Sequence, residues 1–357
     1  MTRDETETVR VGIVGLGGIG TYHAERIVEL GHDLVGGMDV SPTAREEFAR
    51  QFDVPAFESY EELFNAGTEA LVVTTPNRYH EEYVVAALEA GVDVLVEKPL
   101  AHSLESAEAI AAAARESDAT VMVGFNNRFA PAAQVFKAKQ ADGEFGDLTH
   151  VEANYLRRRG VPGRGSWFTS KTVAGGGALI DIGVHALDLA LHFLDFPDVV
   201  EVMGSTRSDF GSRDDYTYLD MWGEDRGPEG FDVDDSATAF VRCADGQTIA
   251  LDVAWAANRE PDEEIVVTGT EAGARFDRST GDLTIYDVGD EGASHFRDST
   301  IETHPEDTHL AELRAFFDAV RTGEPPEYNT VEQALDVQRV VDAIYRSAEE
   351  GRAVRLD

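Results

Sequence analysis

Apolar and polar positions along the first third of the chain follow two alternating rhythms. Continuous apolar runs at residues 9–14, 33–38, 70–74, 92–96 and 120–124 have the length and composition of buried strands. Helical periodicity fills the intervals, at 18–30, at 42–51, and after the strands at 70–74 and 92–96. Strands alternating with helices predict a parallel sheet covered on both faces. Right-handed crossovers make it a doubly wound α/β domain.

The rhythm changes after Phe129. Residues 148–155 and much of 199–288 read as strands, among them 237–242, 248–254 and 264–268, divided by turn signals such as Asp245-Gly246 and Gly281-Asp282. Short alternating strands of this kind predict a large, mainly antiparallel open sheet. Helices are expected at 178–196, 309–321 and 331–350, and they cover one face of that sheet. The acidic, glycine-rich segment 209–232 is expected to be a loop. The fold class is therefore α/β followed by α+β. Two domains are expected, residues 1–128 and 129–357 of the 357. No internal repeat or low-complexity tract interrupts this plan.

Composition adds one strong fact. Asp and Glu number 68 against 30 Lys and Arg, a net charge of −38. The acids are spread along the chain, which argues for an acidic folded surface and against a disordered tail. Such a surface repels itself at low salt and is screened at high salt. It resembles the surfaces of proteins from halophilic archaea. Clustered cations for phosphate backbones are missing apart from Arg157-Arg158-Arg159, so nucleic acid is not an expected partner. The single cysteine, Cys243, excludes an internal disulfide and a thiolate zinc site. No run approaches the ~18 uninterrupted apolar residues of a membrane span. Residues 1–10 lack the basic start and apolar stretch of a signal peptide. A cytoplasmic enzyme with no membrane partner fits these limits.

Gly15-Leu16-Gly17-Gly18-Ile19-Gly20 is a G-x-G-x-x-G loop between an expected strand and an expected helix. Gly15 permits the tight turn, Gly17 a close approach to pyrophosphate, and Gly20 close packing of helix on strand. Gly18 and Ile19 open the helix whose N-terminus faces the phosphates. Asp39 ends the next strand, where a carboxylate accepts from the adenosine ribose hydroxyls and repels a 2′-phosphate. This favours NAD as cofactor. Arg45, one turn into the following helix, is the residue that would hold the extra phosphate of NADP.

Lys98 follows a strand of the parallel sheet, at the carboxyl edge where ligands bind in such sheets. It is one of four lysines in a chain that otherwise uses arginine. A lysine there can donate to a substrate oxygen, although a surface lysine before a proline turn is the plain alternative. Asp181 and His185 are four residues apart in an expected helix and share a face, which Asp188 continues. An imidazole beside a carboxylate suits acid–base chemistry near neutral pH. The plain alternative is a hydrogen-bonded core histidine, and for His192 on much the same face that alternative is preferred. The histidines give no metal-ligand pattern, so no metal is expected.

Three segments together with the glycine loop resemble the glucose–fructose oxidoreductase / inositol dehydrogenase / rhizopine catabolism (Gfo/Idh/MocA) family. They are Thr74-Thr75-Pro76-Asn77-Arg78-Tyr79-His80, Val96-Glu97-Lys98-Pro99-Leu100, and the stretch from Gly175-Gly176-Gly177 through Asp181 and His185 to Asp188. Gly124-Phe125-Asn126-Asn127-Arg128-Phe129 is similar to the family segment that ends the dinucleotide domain. The resemblance implies an NAD-dependent oxidoreductase that moves hydride between nicotinamide and a hydroxyl carbon of a sugar or polyol. It implies Lys98, Asp181 and His185 as the catalytic residues, which also touch substrate. It places Thr75, Pro76, Asn77 and His80 along the cofactor, Glu97 and Asn126 near the nicotinamide ribose, and Lys98 against the cofactor as well as the substrate. The Lys98–Pro99 bond falls where the family often has a cis peptide. Substrate recognition is expected from the second domain, with Arg157, Arg158, Trp167, Phe168, Trp255 and Asn258 as candidates. A homodimer or homotetramer joined through the second domain's sheet is the implied assembly. Two other functions share the motifs: an NAD-dependent glycoside hydrolase and a non-catalytic dinucleotide sensor. Retention of Lys98 argues against the first, and retention of all three catalytic positions against the second.

Overall fold

The structure is a computed structural model that describes residues 8–218 and 223–356; expectations placed on 1–7 and 219–222 lie outside the described residues. The chain divides into two compact units. One runs to Asn126 and takes in Asp307–Gln338; the other runs from Asn127 to Glu306 and takes in the chain from Arg339 on. The division differs from a single boundary at residue 128 in grouping 307–338 with the first unit.

The first unit holds a six-stranded parallel sheet: β1 (Arg10–Val14), β2 (Asp33–Met38), β3 (Ala56–Phe57), β4 (Ala70–Val73), β5 (Asp93–Glu97) and β6 (Val121–Gly124), in the order β3-β2-β1-β4-β5-β6. Every residue of β4 is buried, as are the central residues of β1 and β5. Strands covered on both faces need no alternation, which is why these read as continuous apolar runs. Strand order reverses between β1 and β4, and the carboxyl ends of these two strands form the crevice where such sheets take ligands. Three of the covering helices start on a serine: Ser41, Ser59 and Ser103 each accept from a backbone N–H three residues on. Residues 307–338 complete this unit. Asp307 caps the helix Thr308–Thr322 and also binds Arg26 and Tyr22. The Val123 N–H donates to the Asn329 carbonyl, so this returning segment lies along β6.

The second unit holds a nine-stranded sheet. Its strands are β7 (Leu148–Leu156), β8 (Val199–Arg207), β9 (Ser236–Cys243), β10 (Thr248–Ala254), β11 (Glu264–Gly269), β12 (Gly273–Asp277), β13 (Asp282–Gly289), β14 (His295–Ile301) and β15 (Val354–Arg355). Their order is β14-β13-β12-β11-β7-β10-β9-β8-β15, and every pairing but β7–β10 is antiparallel. Along β9 the pattern alternates: Ala237, Ala239, Val241 and Cys243 are buried, while Thr238, Phe240 and Arg242 are exposed. One face is therefore covered and the other open. The covered face meets the apolar stretch from Leu179 to Phe193, which packs on β7, β10 and β11. That stretch was expected as one continuous α-helix over 178–196. It starts instead with a π-helical turn, Leu179–Gly183, and continues as the α-helix Val184–Phe193. It stops where Asp195 and Phe196 take left-handed backbone conformations. The described part of 209–232 contains neither helix nor strand.

Candidate functional site

In the first unit the glycine loop turns between β1 and the helix Gly18–Glu29. Gly15 has φ +94°, and a Cβ there would also press on the backbone of Thr74 and Thr75 at 2.8 Å. A Cβ on Gly20 would fall 2.0 Å from the Gly15 carbonyl oxygen, so only glycine lets this helix start so close to the strand. At Gly17 and Gly18 a Cβ would meet nothing within 4 Å. The backbone there faces open space, and Gly17 provides no side-chain cap for the helix. In contrast to the serine-capped helices, this one has no side-chain cap at its N-terminus among the described residues, and the backbone N–H groups of such an end suit a pyrophosphate. The residues present therefore fit a dinucleotide. Ile19 is partly exposed on the same turn.

Two side chains hold the loop in place. Thr74 donates from Oγ1 to the Gly15 carbonyl at 2.6 Å. Asp39 at the end of β2 accepts from the Leu16 N–H at 2.8 Å through Oδ2 and from the Ser41 N–H at 2.8 Å through Oδ1. Asp39 thus sits directly beside the loop, as the strand order requires. Arg45 donates to the Asp39 carbonyl at 2.7 Å and lies 3.8 Å from Glu58. Its guanidinium is committed to these oxygens, which leaves it poorly disposed toward a 2′-phosphate.

After β4 the chain continues through Thr75 and Pro76 into a short 3₁₀ turn, Asn77–Tyr79, with Asn77 buried. Thr75 Oγ1 is buried and has no hydrogen-bond partner among the described residues. Both ring nitrogens of buried His80 face carbonyls, Pro99 at 2.9 Å from Nδ1 and Thr75 at 2.9 Å from Nε2. His80 thereby braces the loop after β4 against the loop after β5, and burial lowers its pKa.

Lys98 directly follows β5, and the Lys98–Pro99 bond is cis. Glu97 holds this position from behind. Oε2 accepts from the Lys98 backbone N–H at 3.2 Å, and Oε1 meets His23 Nε2 at 2.7 Å. Burial alone would raise the Glu97 carboxyl, but the hydrogen bond and charge of His23, with His309 and Lys98 nearby, bring it down to about 2. Glu97 is thus an ionised anchor. Asn126 donates from Nδ2 to Thr308 Oγ1 at 2.7 Å and lies 3.3 Å from His309 Nδ1, so its amide is used at the start of the helix Thr308–Thr322. His23, Thr308 and His309 were not singled out from sequence, and Thr74 was given no role of its own. His23 carried a signal: it is a polar residue on the buried face of the helix that the glycine loop opens.

In the second unit the sequence Gly175-Gly176-Gly177 leads into the π turn. A Cβ on Gly177 would fall 1.7 Å from the Asp234 carbonyl oxygen, and one on Gly176 would fall 2.0 Å from the Tyr345 hydroxyl. Asp234 caps the turn, accepting from Gly177 N at 2.8 Å, Leu179 N at 2.9 Å and the Tyr345 hydroxyl at 2.8 Å. Burial raises the Asp234 carboxyl, against the pull of these donors. Asp181 lies inside the π turn and is buried. Its Oδ2 accepts from the Trp255 indole N–H at 2.9 Å. Trp255 is wholly buried, so among the substrate candidates it acts on Asp181 from within the core. His185 is half-buried in the first turn of the α-helix, and Asn127 Nδ2 lies 2.9 Å from its Nδ1. Asp188, one turn further, forms a buried ion pair with Arg128, with contacts of 2.5, 3.0 and 3.2 Å. His192 is buried, and burial with the nearby charges of Arg128 and Lys137 lowers its pKa to about 2, which suits a neutral core histidine.

Arg157 donates to the Tyr155 hydroxyl at 3.1 Å; burial opposes its charge, but Tyr155 and the Asp181 carboxylate outweigh that and raise its pKa. Arg158 is exposed. Trp167 stacks on Phe168 with ring centroids 3.7 Å apart. Asn258 accepts from Arg159 at 2.6 Å. Arg157 is thus tied to Tyr155, and Asn258 to a neighbouring arginine.

Residues 9–125 match a family described as an oxidoreductase family with an NAD-binding Rossmann fold, and residues 134–275 match the Gfo/Idh/MocA C-terminal domain. The chain is 32% identical over 284 residues to D-glucoside 3-dehydrogenase of Escherichia coli (strain K12), covering 80% of this chain and 78% of that one. It is 28% identical over 352 residues to D-xylose 1-dehydrogenase (NADP(+)) 2 of Haloferax volcanii, covering 97% and 99%. Among solved structures, levoglucosan dehydrogenase in complex with NADH and L-sorbose superposes with a TM-score of 0.86 at 24% identity, covering 98% and 99%.

Proposed function

Because the chain belongs to the Gfo/Idh/MocA family of oxidoreductases with an NAD-binding Rossmann fold, we propose that it oxidises a secondary hydroxyl of a sugar or polyol with NAD, or reduces the corresponding ketone. The observation that carries this reading is the uncapped glycine-loop helix beside Asp39, in the same sheet whose β5 ends at Lys98.

Bound NAD supplies the acceptor for the two electrons and hydrogen that leave the substrate carbon. The chain's own residues handle the remaining proton and the geometry. His185 exchanges the hydroxyl proton. Lys98 hydrogen-bonds the reacting oxygen and stabilises negative charge there. Asp181, fixed by Trp255, orients the substrate or His185. Arg157 and Trp167 contribute to recognition. The unit built on β1–β6 is the cofactor-binding domain, and the unit built on β7–β15 binds substrate and mediates assembly. The open sheet face carries the exposed cross-strand pairs Met203–Phe240 and Val288–Phe296, a surface suited to a homo-oligomer. The named relatives act on a glucoside and on xylose, which supports a carbohydrate substrate.

The test is a panel of aldoses, glucosides and cyclic polyols with NAD in molar KCl, followed by NADH absorbance. Turnover on no member removes the dehydrogenase reading. Cleavage of a glycoside without net NADH formation would mark a hydrolase, and dinucleotide binding without any reaction a sensor.

Cofactor choice is tested at Asp39. Asp39→Ala removes the carboxylate that repels a 2′-phosphate and frees the Leu16 N–H. The KM for NAD should rise about tenfold, by roughly 1.4 kcal/mol, with NADP gaining relative to it. A variant with unchanged preference would exclude Asp39 as the selector. The relative from Haloferax volcanii is named for NADP, so the preference of this chain is a property to be measured at that residue.

The charge of −38 supports a protein adapted to a salt-rich cytoplasm. Raising KCl from about 0.1 M to about 2 M shortens the Debye length from ~10 Å to about 2–3 Å and screens the self-repulsion. The melting temperature should rise by about 10 °C, measured by scanning calorimetry. A flat or falling response would reject salt adaptation.

A further inference from the structure

We infer that Asn127 is a positioning residue that fixes the tautomer of His185, holding the resting imidazole neutral with its proton on Nε2. The inference deepens the proposed function, on which the catalytic role of His185 rests.

The argument starts from donor and acceptor inventories. Asn127 Nδ2 lies 2.9 Å from His185 Nδ1. An amide nitrogen donates and never accepts, so Nδ1 must present its lone pair. In a neutral imidazole the other nitrogen then carries the hydrogen. Protonating Nδ1 as well would set two donors against each other.

The placement of Asn127 is enforced by its neighbours. Arg128, the next residue, is wholly buried and grips Asp188 through Nε and a terminal nitrogen. Asp188 stands three residues after His185 on the same α-helix. The Arg128 carbonyl accepts from Gln134 at 2.6 Å, and the Asn127 carbonyl from the Ala130 N–H at 3.1 Å. The segment bearing Asn127 is thus clamped to the helix bearing His185, within one turn of the imidazole.

The consequence is chemical. With hydrogen on Nε2, His185 donates to a substrate oxygen and cannot take a proton at that nitrogen. Taking one requires the other tautomer, in which the ring has released its Nε2 proton to solvent and gained one on Nδ1, and the Asn127 amide must turn so that Oδ1 accepts from Nδ1–H. Asn127 therefore separates two forms of the site: an oxygen-directed donor at rest, and a base once the amide has turned and the ring has exchanged its Nε2 proton for one on Nδ1. Side chains that orient a functional histidine through its second nitrogen are a general device for choosing between such forms.

The test is ¹⁵N NMR of histidine-labelled protein without cofactor or substrate, at neutral pH and high salt. His185→Gln identifies the resonances among the 10 histidines. The unaltered protein should show a pyridine-like Nδ1 and a protonated Nε2. In Asn127→Asp the new carboxylate can only accept, so the tautomer should reverse to Nδ1–H. In Asn127→Ala the preference should weaken and kcat fall about fivefold, as for loss of one hydrogen bond. A protonated Nδ1 in the unaltered protein, or an unchanged tautomer in Asn127→Asp, would overturn the inference. The spectra need no turnover, so an error in the proposed reaction would remove the rate effect and leave the tautomer result standing.

Discussion

Lys98→Ala is expected to lower kcat by about 10²–10⁴-fold, the range typical of a lost proton-handling group, with the Kd for NAD changed by no more than about twofold. The two halves of this expectation come from different parts of the structure. Dinucleotide affinity is assigned to the glycine loop, the uncapped helix N-terminus and Asp39, none of which depends on the Lys98 side chain. The ammonium is assigned to the reacting oxygen, where a donor matters most as charge develops. Lys98→Arg should not restore the rate, because a guanidinium cannot give up its proton near neutral pH and its planar fork needs different space. Steady-state kinetics on the best substrate of the panel give kcat. Quenching of protein fluorescence on titration with NADH gives the binding half. Full turnover in Lys98→Ala would exclude the lysine from the chemistry. Loss of turnover together with cofactor binding would mean that the substitution disturbs the loop ordered by Glu97 and His80.

Much of this arrangement was legible because local pattern and fold agree. The runs at 33–38 and 248–254 became β2 and β10 with the expected bounds, and 331–350 became the last helix. What stayed hidden depends on partners distant in sequence or on uniform patterning. Residues 178–193 are apolar almost throughout, so nothing in their periodicity distinguishes the π turn at Leu179–Gly183 from an α-helical start. The turn is set by Asp234, which caps it from over fifty residues away. Strand β14 is polar and exposed along nearly its whole length, and pairs only with β13, so it lacks the alternation that reveals a half-buried strand. The helix Pro131–Ala141 has a weak apolar face and was not anticipated. Likewise, the packing of 307–338 with the first unit rests on Tyr22, Arg26, Val123 and Asn126, and no local pattern announces such contacts. The candidate residues could be nominated from sequence, because glycines, the lysine and the Asp–His spacing are local. Their supports, His23 behind Glu97, Trp255 behind Asp181 and Asn127 behind His185, are products of folding.

The largest effect on stability is expected at Arg128. Its side chain is fully buried and its partner Asp188 is 1% exposed. Arg128→Met leaves a carboxylate in an apolar interior with no counter-charge, a change that costs about 3–5 kcal/mol. Removing both charges together, as Arg128→Met with Asp188→Leu, should recover most of that loss, because the pair itself contributes little net stability after desolvation. The coupling between the two sites in a double-mutant cycle measures this directly, by urea unfolding at high salt. The pH dependence gives an independent check. Burial already raises the Asp188 carboxyl against the pull of Arg128. Without the arginine it rises further, so the folded variant binds a proton that the unfolded chain, with a pKa of about 4, has released. A raised folded pKa confers its benefit below the unfolded value and loses it as pH climbs through the folded one. The deficit of Arg128→Met should therefore grow from pH ~5 to pH ~7. A single variant that loses under about 1 kcal/mol, or a deficit independent of pH, would mean that water reaches Asp188 and that the clamp between Asn127 and the His185 helix is held by other contacts.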